Sequence, residues 1–408
     1  MTHILLAADG RSPITRRWIQ TLLAINCRVS LISTFPCPPI DMVDLAGVLP
    51  VAFSALAGSQ VESASQSPEK TKPKTSLAAL RPFLQNVRYY LGPLTLFFYS
   101  TRFKRIVRDI KPDIVHSLRI PFEGMLASGL PEGIPLLVST WGNDLTLHAR
   151  GSSLMGTFTR RTLKRANGLL SDTLRDIRLA REWGLAPDAP VLEVPGNGGV
   201  DLQEIEKIRK QHRSAPDFLK KNGPVIINPR GFRPGSVHQE VFFQSIPLVL
   251  KKLPDAQFVC TGMRGQKEAL DWVDRLGIGN NVILLPYLNQ ADLWNLFLRA
   301  GVYASISSHD GTPNTLLEAM ACGCLPVCGD IESIREWVTS GENGLLVDPL
   351  DPQAAANAIL NACRDVALQQ KAKKLNQEII RTKAEVQLVR RKVKLFYEEF
   401  PHKDLKDD

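Results

Sequence analysis

SSHDGTPNTLLEAMACGCLPVCGDIESIREWVTSGENGLLVD, residues 307–348, decides how this chain is read. An apolar run at 302–306 leads into it and ends in a polar loop that holds His309, Asp310, Gly311, Thr312, Pro313 and Asn314. Leu316, Leu317, Ala319, Met320 and Ala321 then begin a helix, with Glu318 among them. One carboxylate therefore stands at the mouth of a strand, and a second stands eight positions later on the helix. Backbone N–H groups at the helix N-terminus lie between them, and with the helix dipole they suit an anion such as phosphate. The stretch is predicted to hold a ligand rich in hydroxyls and carrying phosphate.

Strand candidates recur on both sides of it. Apolar runs at 225–228, 257–260, 282–285, 302–306, 325–327 and 345–347 alternate with helical segments. A similar series fills the first half, with runs at 4–8, 29–32, 113–117, 136–140, 169–171 and 191–194 and helices near 15–25, 152–166 and 174–183. Such alternation predicts an α/β chain of two doubly wound parallel sheets. The expected domains are 1–198, 199–370 and a helical extension at 371–408. The boundary is expected near 196–222, with a cleft between the halves, and 58–76, poor in hydrophobes, is expected to be a mobile loop. Ligands of such sheets bind at the carboxyl ends of strands, and Asp310 and Arg230 both follow strands.

The 408 residues suffice for two cores, and 44% hydrophobic with 22% charged residues is a globular composition. No apolar run reaches the roughly 20 residues that span a bilayer. The start, MTHILLAADGRS, lacks the basic n-region of a signal peptide. Seven scattered cysteines, an odd number, fit a reduced cytoplasmic protein. Cys322, Cys324 and Cys328 are close together, but no His or fourth Cys stands at metal-site spacing, so small buried residues are the favoured reading.

The net charge of +9 is uneven: residues 1–200 hold 23 basic and 15 acidic groups, residues 201–408 hold 27 and 26. A basic first half fits nucleic acid, an anionic membrane or a phosphorylated substrate, and no nucleic-acid motif accompanies it. Leu96, Tyr99, Phe103, Ile106 and Ile110 mark one helix face, surrounded by Arg102, Lys104, Arg105 and Arg108. A core-facing helix with a solvated basic side is favoured over a membrane-surface helix. Near the end, Leu388, Val389, Val393, Leu395, Phe396 and Phe400 are expected to pack on the globular body.

The run D-G-T-P-N-x-L-L-E-A-M-A-C-G from Asp310 to Gly323, followed by LPV and then G-E-N-G-L-L-V-D-P, resembles the signature of family-4 glycosyltransferases. ADGRSPITRRW, KPDIVHS, STWGND and GVD sit in the matching order, so the likeness extends over nearly the whole chain. The resemblance implies the GT-B fold, two Rossmann-like domains facing across a cleft. It implies a retaining transfer of sugar from a nucleoside diphosphate to an acceptor hydroxyl, with a front-face route in which the leaving phosphate takes the acceptor proton.

By position, the resemblance makes Glu318 the acceptor of hydrogen bonds from the ribose and gives Asp310 the hydroxyls of the donor sugar. The backbone of Gly311, Thr312, Pro313, Asn314 and Thr315 would reach the phosphates and sugar. Relatives hold the diphosphate with an Arg and a Lys. Arg230 matches the Arg, and Arg233 replaces the Lys, a sound exchange because guanidinium is a good fork for phosphate. With two arginines and a helix dipole, no metal and no cofactor are expected. Tyr287 and Leu288, with Arg264 near them, are the expected base pocket, the alternative being Tyr287 as a loop aromatic that caps the core, and Gly10 would admit the donor phosphate on the first domain.

The acceptor side is less defined. His116 either lines it or is a buried structural histidine. Trp141 stands where many relatives carry a His and offers a stacking wall. Asp144 either binds acceptor hydroxyls or caps a helix. Saccharide, lipid-linked and small-molecule acceptors stay open, as does peripheral contact with an anionic membrane. A UDP-sugar epimerase and a non-catalytic sugar-nucleotide binder are the competing readings. A dehydrogenase is weakened because no G-x-G-x-x-G follows the first strand.

Overall fold

The structure, a computed structural model, describes residues 1–54, 81–211, 216, 218–220 and 222–401. The 58–76 segment lies outside the described residues. The chain forms two compact units, Met1–Gly198 together with the chain from Arg390 on, and Gly199–Val389.

The first unit is built on seven parallel strands: β1 His3–Ala8, β2 Arg28–Ser33, β3 Asp44–Val48, β4 Ile114–Ser117, β5 Leu136–Thr140, β6 Gly168–Ser171 and β7 Val191–Glu193. Their spatial order is β3-β2-β1-β4-β5-β6-β7. The central strands are apolar throughout because parallel sheets are covered on both faces, and Ile4 to Ala7 are 0% exposed. The edge strand β3 (DLAGV) is exposed or half-buried and was not predicted. It is held by backbone pairing to β2, which a hydrophobicity pattern does not record.

The second unit holds β8 Val225–Asn228, β9 Gln257–Cys260, β10 Val282–Leu284, β11 Val302–Ser305, β12 Leu325–Gly329 and β13 Leu345–Val347, ordered β10-β9-β8-β11-β12-β13. Alternate residues serve opposite faces, as the strand period of two requires. Ile226, Phe258, Val302 and Val327 enter one core, and Ile227, Val259, Tyr303 and Cys328 enter the other. Both units are the doubly wound sheets expected from the sequence.

Helix starts follow the capping chemistry of the sequence. Ser12, Ser152, Thr173, Asp201, Asn289 and Asp351 each accept a hydrogen bond from the first turn of the helix they precede. Each such cap contributes about 1 kcal/mol. The helix Asn314–Cys322 differs, since its N-cap is Pro313 and no side chain caps it.

Two helical expectations come out unequally. In Arg81–Ile110, Leu96 and Phe103 are buried and Tyr99, Ile106 and Ile110 pack against the first core, as the spacing requires. In Val386–Glu399, Val389 and Val393 turn inward, as does Phe400 just beyond it, but Leu395 is 51% exposed. The inward line runs 389, 393, 397, 400, so Tyr397 takes the place expected of Leu395.

Candidate functional site

In the second unit β8 and β11 are adjacent, and the crossovers diverge from them, so a crevice opens at their carboxyl ends. Asn228 closes β8 and is buried. Its Nδ2 donates to Gln239 Oε1 at 2.7 Å, and its Oδ1 accepts from the Arg230 N–H at 3.0 Å. Gln239 Nε2 donates to the carbonyls of Arg230 and Gly231 at 3.1 Å each. These bonds fix the backbone from which Arg230 projects.

The Arg230 guanidinium donates from Nη2 to Asp310 Oδ2 at 2.5 Å, with side-chain exposures of 6% and 13%. Burial would lower the pKa of Arg230, but the Asp310 charge outweighs it and the pKa is raised. Arg230 Nε is buried and has no partner. A buried donor left unpaired costs about 1–3 kcal/mol, so this N–H is poised for an acceptor. Arg233 is exposed, and the charge of nearby Arg230 is the main cause that lowers its pKa. Two guanidinium groups that repel in this way attract an anion placed between them.

Asp310 is held from its own loop. The Gly311 N–H donates to its Oδ1 at 3.1 Å, and Ser333 Oγ donates to its carbonyl at 2.8 Å. The loop is tied further by the His238 N–H to the Ile306 carbonyl at 2.7 Å and by His238 Nε2 with Ser308 Oγ at 2.8 Å. Beyond it, Trp337 Nε1 donates to Thr312 Oγ1 at 3.0 Å, and the Thr315 hydroxyl meets the Tyr303 hydroxyl at 3.2 Å. These two hydroxyls thus serve the scaffold, while Pro313 and Asn314 carry the backbone into the uncapped helix. Glu318 is 6% exposed on that helix, between buried Leu317 and Ala319, and Gly323 at φ 101° ends it.

The remaining residues expected on the donor side follow β9 and β10. Tyr287 is 54% exposed. A Cβ on Gly262 would lie 2.8 Å from its ring, and one on Gly231 would lie 3.0 Å from its hydroxyl, so both glycines make room for it. Leu288 is half-buried against the second face's core. Arg264 is exposed, with its N–H and that of Met263 both donating to the Leu285 carbonyl.

In the first unit the expected residues are engaged with their own fold. His116 is 0% exposed. Its Nε2 meets Ser139 Oγ at 2.8 Å and its Nδ1 meets the Tyr397 hydroxyl at 2.6 Å, and burial pushes its pKa down to about 3. It is the buried structural histidine of the two readings, not a lining residue. Asp144 is also 0% exposed. It accepts from Arg119 Nη2 at 2.6 Å and from the Ile120 N–H at 3.2 Å, the first N–H of the turn Ile120–Gly124, and the N-cap of its own helix is Asn143. Gly10 is buried, its N–H donates to Ser33 Oγ at 3.1 Å, and a Cβ there would lie 2.5 Å from Cys37 Sγ, so the approach of the chain's own loop requires a glycine. Trp141 lies under the Arg119 guanidinium at 5.3 Å and lines a pocket of about 30 Å³ with Trp18, Ser139 and Asp172.

The sequence reading missed Asn228, Gln239, Arg119 and Tyr397. A polar residue closing an apolar strand was the one available signal, for Asn228. The others are visible only through partners distant in the chain. Among the described residues no group of three or more His, Cys, Asp and Glu could hold a metal ion. Cys322, Cys324 and Cys328 are buried free thiols. Among the described residues no helix is long and apolar enough to cross a membrane.

Residues 211–379 match a family described as glycosyl transferases group 1, and residues 48–173 match one described as glycosyl transferase 4-like. Together the two matches cover well over half of the chain. The phosphatidyl-myo-inositol mannosyltransferase of Mycobacterium tuberculosis is 27% identical over 257 residues, 60% of this chain and 61% of that protein. The chain thus aligns with about three fifths of this curated relative. Among solved structures, sucrose-phosphate synthase of Thermosynechococcus elongatus superposes with a TM-score of 0.69 at 16% identity, covering 98% of this chain and 99% of that one. The HepE protein of Anabaena with UDP-glucose gives 0.64 at 17% identity, covering 98% and 100%. These likenesses show the fold of both units.

Proposed function

Since the chain belongs to the group 1 glycosyl transferases and has the GT-B fold, we propose that it moves a sugar from a nucleoside diphosphate to an acceptor hydroxyl with retention at the anomeric carbon. The observation that carries this reading is the Arg230 guanidinium, held by Asp310 at the switch point, with a buried N–H left for an acceptor. A diphosphate oxygen supplies that acceptor. Arg233 and the uncapped N-terminus of Asn314–Cys322 add positive field for the same group.

In the proposed reaction the acceptor oxygen attacks the anomeric carbon from the face the leaving group departs. The bond from that carbon to the phosphate oxygen breaks, and the departing oxygen takes the acceptor proton. Arg230 and Arg233 stabilise the charge that develops on the diphosphate, and Asp310 aligns Arg230 and faces the sugar. Glu318, a carboxylate on the same helix, accepts hydrogen bonds from the ribose hydroxyls. The two arginines and the helix end supply the positive field without a metal.

The relative named for mannosyl transfer to phosphatidyl-myo-inositol supports an acceptor in glycolipid or related glycoconjugate synthesis. All seven cysteines are free thiols, which fits a cytoplasmic setting where sugar nucleotides are made.

The test is a screen of the full chain with UDP-, GDP- and ADP-sugars, first by thermal shift and then by release of the nucleoside diphosphate. The donor raises the midpoint because only the folded state binds it. Turnover is expected in the presence of EDTA and is lost in Glu318→Gln. Tight nucleotide binding with neither transfer nor hydrolysis would identify a binding protein instead. Strict dependence on Mg²⁺ or Mn²⁺ would overturn the role given to the two arginines.

A further inference from the structure

The helix Arg81–Ile110 is apolar on two sides. Its inward side places Leu96, Phe103 and Val107 in the first core. On the outward side Tyr90, Leu91, Leu94, Phe97 and Phe98 are 61%, 48%, 44%, 63% and 83% exposed. At 3.6 residues per turn, positions 90, 94 and 98 form one line, and the same line continues to Arg105 and Arg108, both exposed. One face therefore changes along its length from aromatic and aliphatic to basic.

A second helix extends the face. The Phe97 ring meets Phe158 edge-on, with centroids 6.2 Å apart, which joins the apolar patch to Ser153–Arg165. Arg161, beside Phe158 on that helix, is exposed, and exposed Arg160 and Lys164 follow on the side of Trp183, whose ring the Arg160 guanidinium covers at 4.7 Å. With Arg165 they line a groove of about 990 Å³ that also holds Glu132 and Asp188. Asp109 is the one carboxylate described on the outward side of Arg81–Ile110.

Five large apolar side chains in one exposed patch are more than scattered surface hydrophobes, and such patches mark interaction sites. The chemistry around them selects the partner. Aromatic and leucine side chains beside Arg and Lys match the boundary between acyl chains and anionic headgroups, which offers both environments at once. We propose that this face of the first unit is a membrane-binding surface, with the Tyr90-to-Phe98 patch entering the interface and the arginines and lysines meeting the phosphates of anionic lipids. The proposal stands apart from sugar transfer, since none of these residues is placed in the donor site.

The full chain is to be sedimented with vesicles of phosphatidylcholine alone and of equal parts phosphatidylcholine and phosphatidylglycerol. Binding is expected to the anionic vesicles only and to weaken as salt screens the charges. The double variant Phe97→Ser, Phe98→Ser should weaken it at least about tenfold. Arg105→Gln or Arg161→Gln should weaken it about fivefold each. An unchanged thermal midpoint in these surface variants separates lost binding from lost fold, and Leu94→Ser supplies an independent second variant. Failure to bind anionic vesicles at low salt would overturn the proposal, as would aromatic variants that bind like the parent. A concentration-dependent dimer formed without vesicles and dissolved by the Phe97, Phe98 variant would show that a second copy covers this face instead.

Discussion

The two sheets finish their carboxyl ends in opposite ways. In the second unit, β8 and β11 end in a guanidinium with an unpaired buried N–H, a carboxylate and a helix without a side-chain cap. In the first, Ser117 Oγ and Glu123 Oε2 are also buried without a partner, but the residues expected to face a ligand are engaged within the fold. His116 is held at both ring nitrogens, Asp144 takes the Arg119 guanidinium, and Gly10 lies under Cys37. The same doubly wound plan thus gives one set of polar groups that we propose to take a ligand and another in which His116, Asp144 and Gly10 serve the fold. The difference lies in which hydrogen bonds are already made, and neither residue type nor strand position reveals that.

If the contrast is right, equivalent substitutions fail in different ways. Arg230→Ala removes the group we propose as hydrogen-bond donor to a diphosphate. Transfer is expected to fall by about 10²–10³-fold in kcat/KM, measured with a labelled sugar nucleotide. A variant with unimpaired turnover would place the chemistry elsewhere. Arg119→Ala leaves Asp144, 0% exposed, without its cation, and removing one partner of a buried pair costs about 3–5 kcal/mol. Arg119 itself is 31% exposed, so the loss should sit at the low end, read by denaturant unfolding. Donor affinity should be unchanged in the molecules that stay folded.

Gly10→Ala sharpens the same comparison. Its Cβ meets Cys37 Sγ at 2.5 Å, and such overpacking costs about 1–3 kcal/mol. A phosphate-admitting glycine would instead show its defect as a raised KM for the donor with normal stability.

The smallest effect is in pH. Burial lowers the pKa of His116 to about 3 and that of His148 to about 4, both from 6.5. Below 6.5 the unfolded chain binds protons that the folded chain refuses. Stability from these two groups is therefore complete above 6.5 and lost as pH falls toward 4 and then 3. The slope is at most about 1.4 kcal/mol per pH unit for each histidine. His116→Gln should flatten the curve of unfolding free energy between pH 6.5 and 5, and an unchanged slope would refute the assignment.

Much of the architecture could be read from the chain because parallel strands buried on both faces appear as uninterrupted apolar runs, as at Ile4 to Ala8 and Val225 to Asn228. The edge strand β3 escaped because backbone pairing, not apolar content, holds it. On the donor side the signature supplied Asp310, Glu318 and Arg230, and the fold gathers Asp310 and Arg230 into one ion pair although 80 positions separate them. The first unit resisted reading because its decisive partners are distant. Arg119 lies 25 positions from Asp144, and Tyr397 lies 281 from His116. A residue type suggests what a side chain is able to bind, but only the fold says whether its partner has already arrived.

The Tyr397–His116 bond also bears on how the protein is made. The first unit takes its last helix from the end of the chain, beyond the whole of the second unit. A ribosome that has finished residues 1–198 has not yet made the helix whose Tyr397 fills the space beside His116 and Trp18. Domains otherwise tend to fold in order of synthesis. Here the first to emerge is the last to be completed, so a released chain that ends at Val389 should present an open, protease-sensitive N-terminal unit while its second unit is already protected.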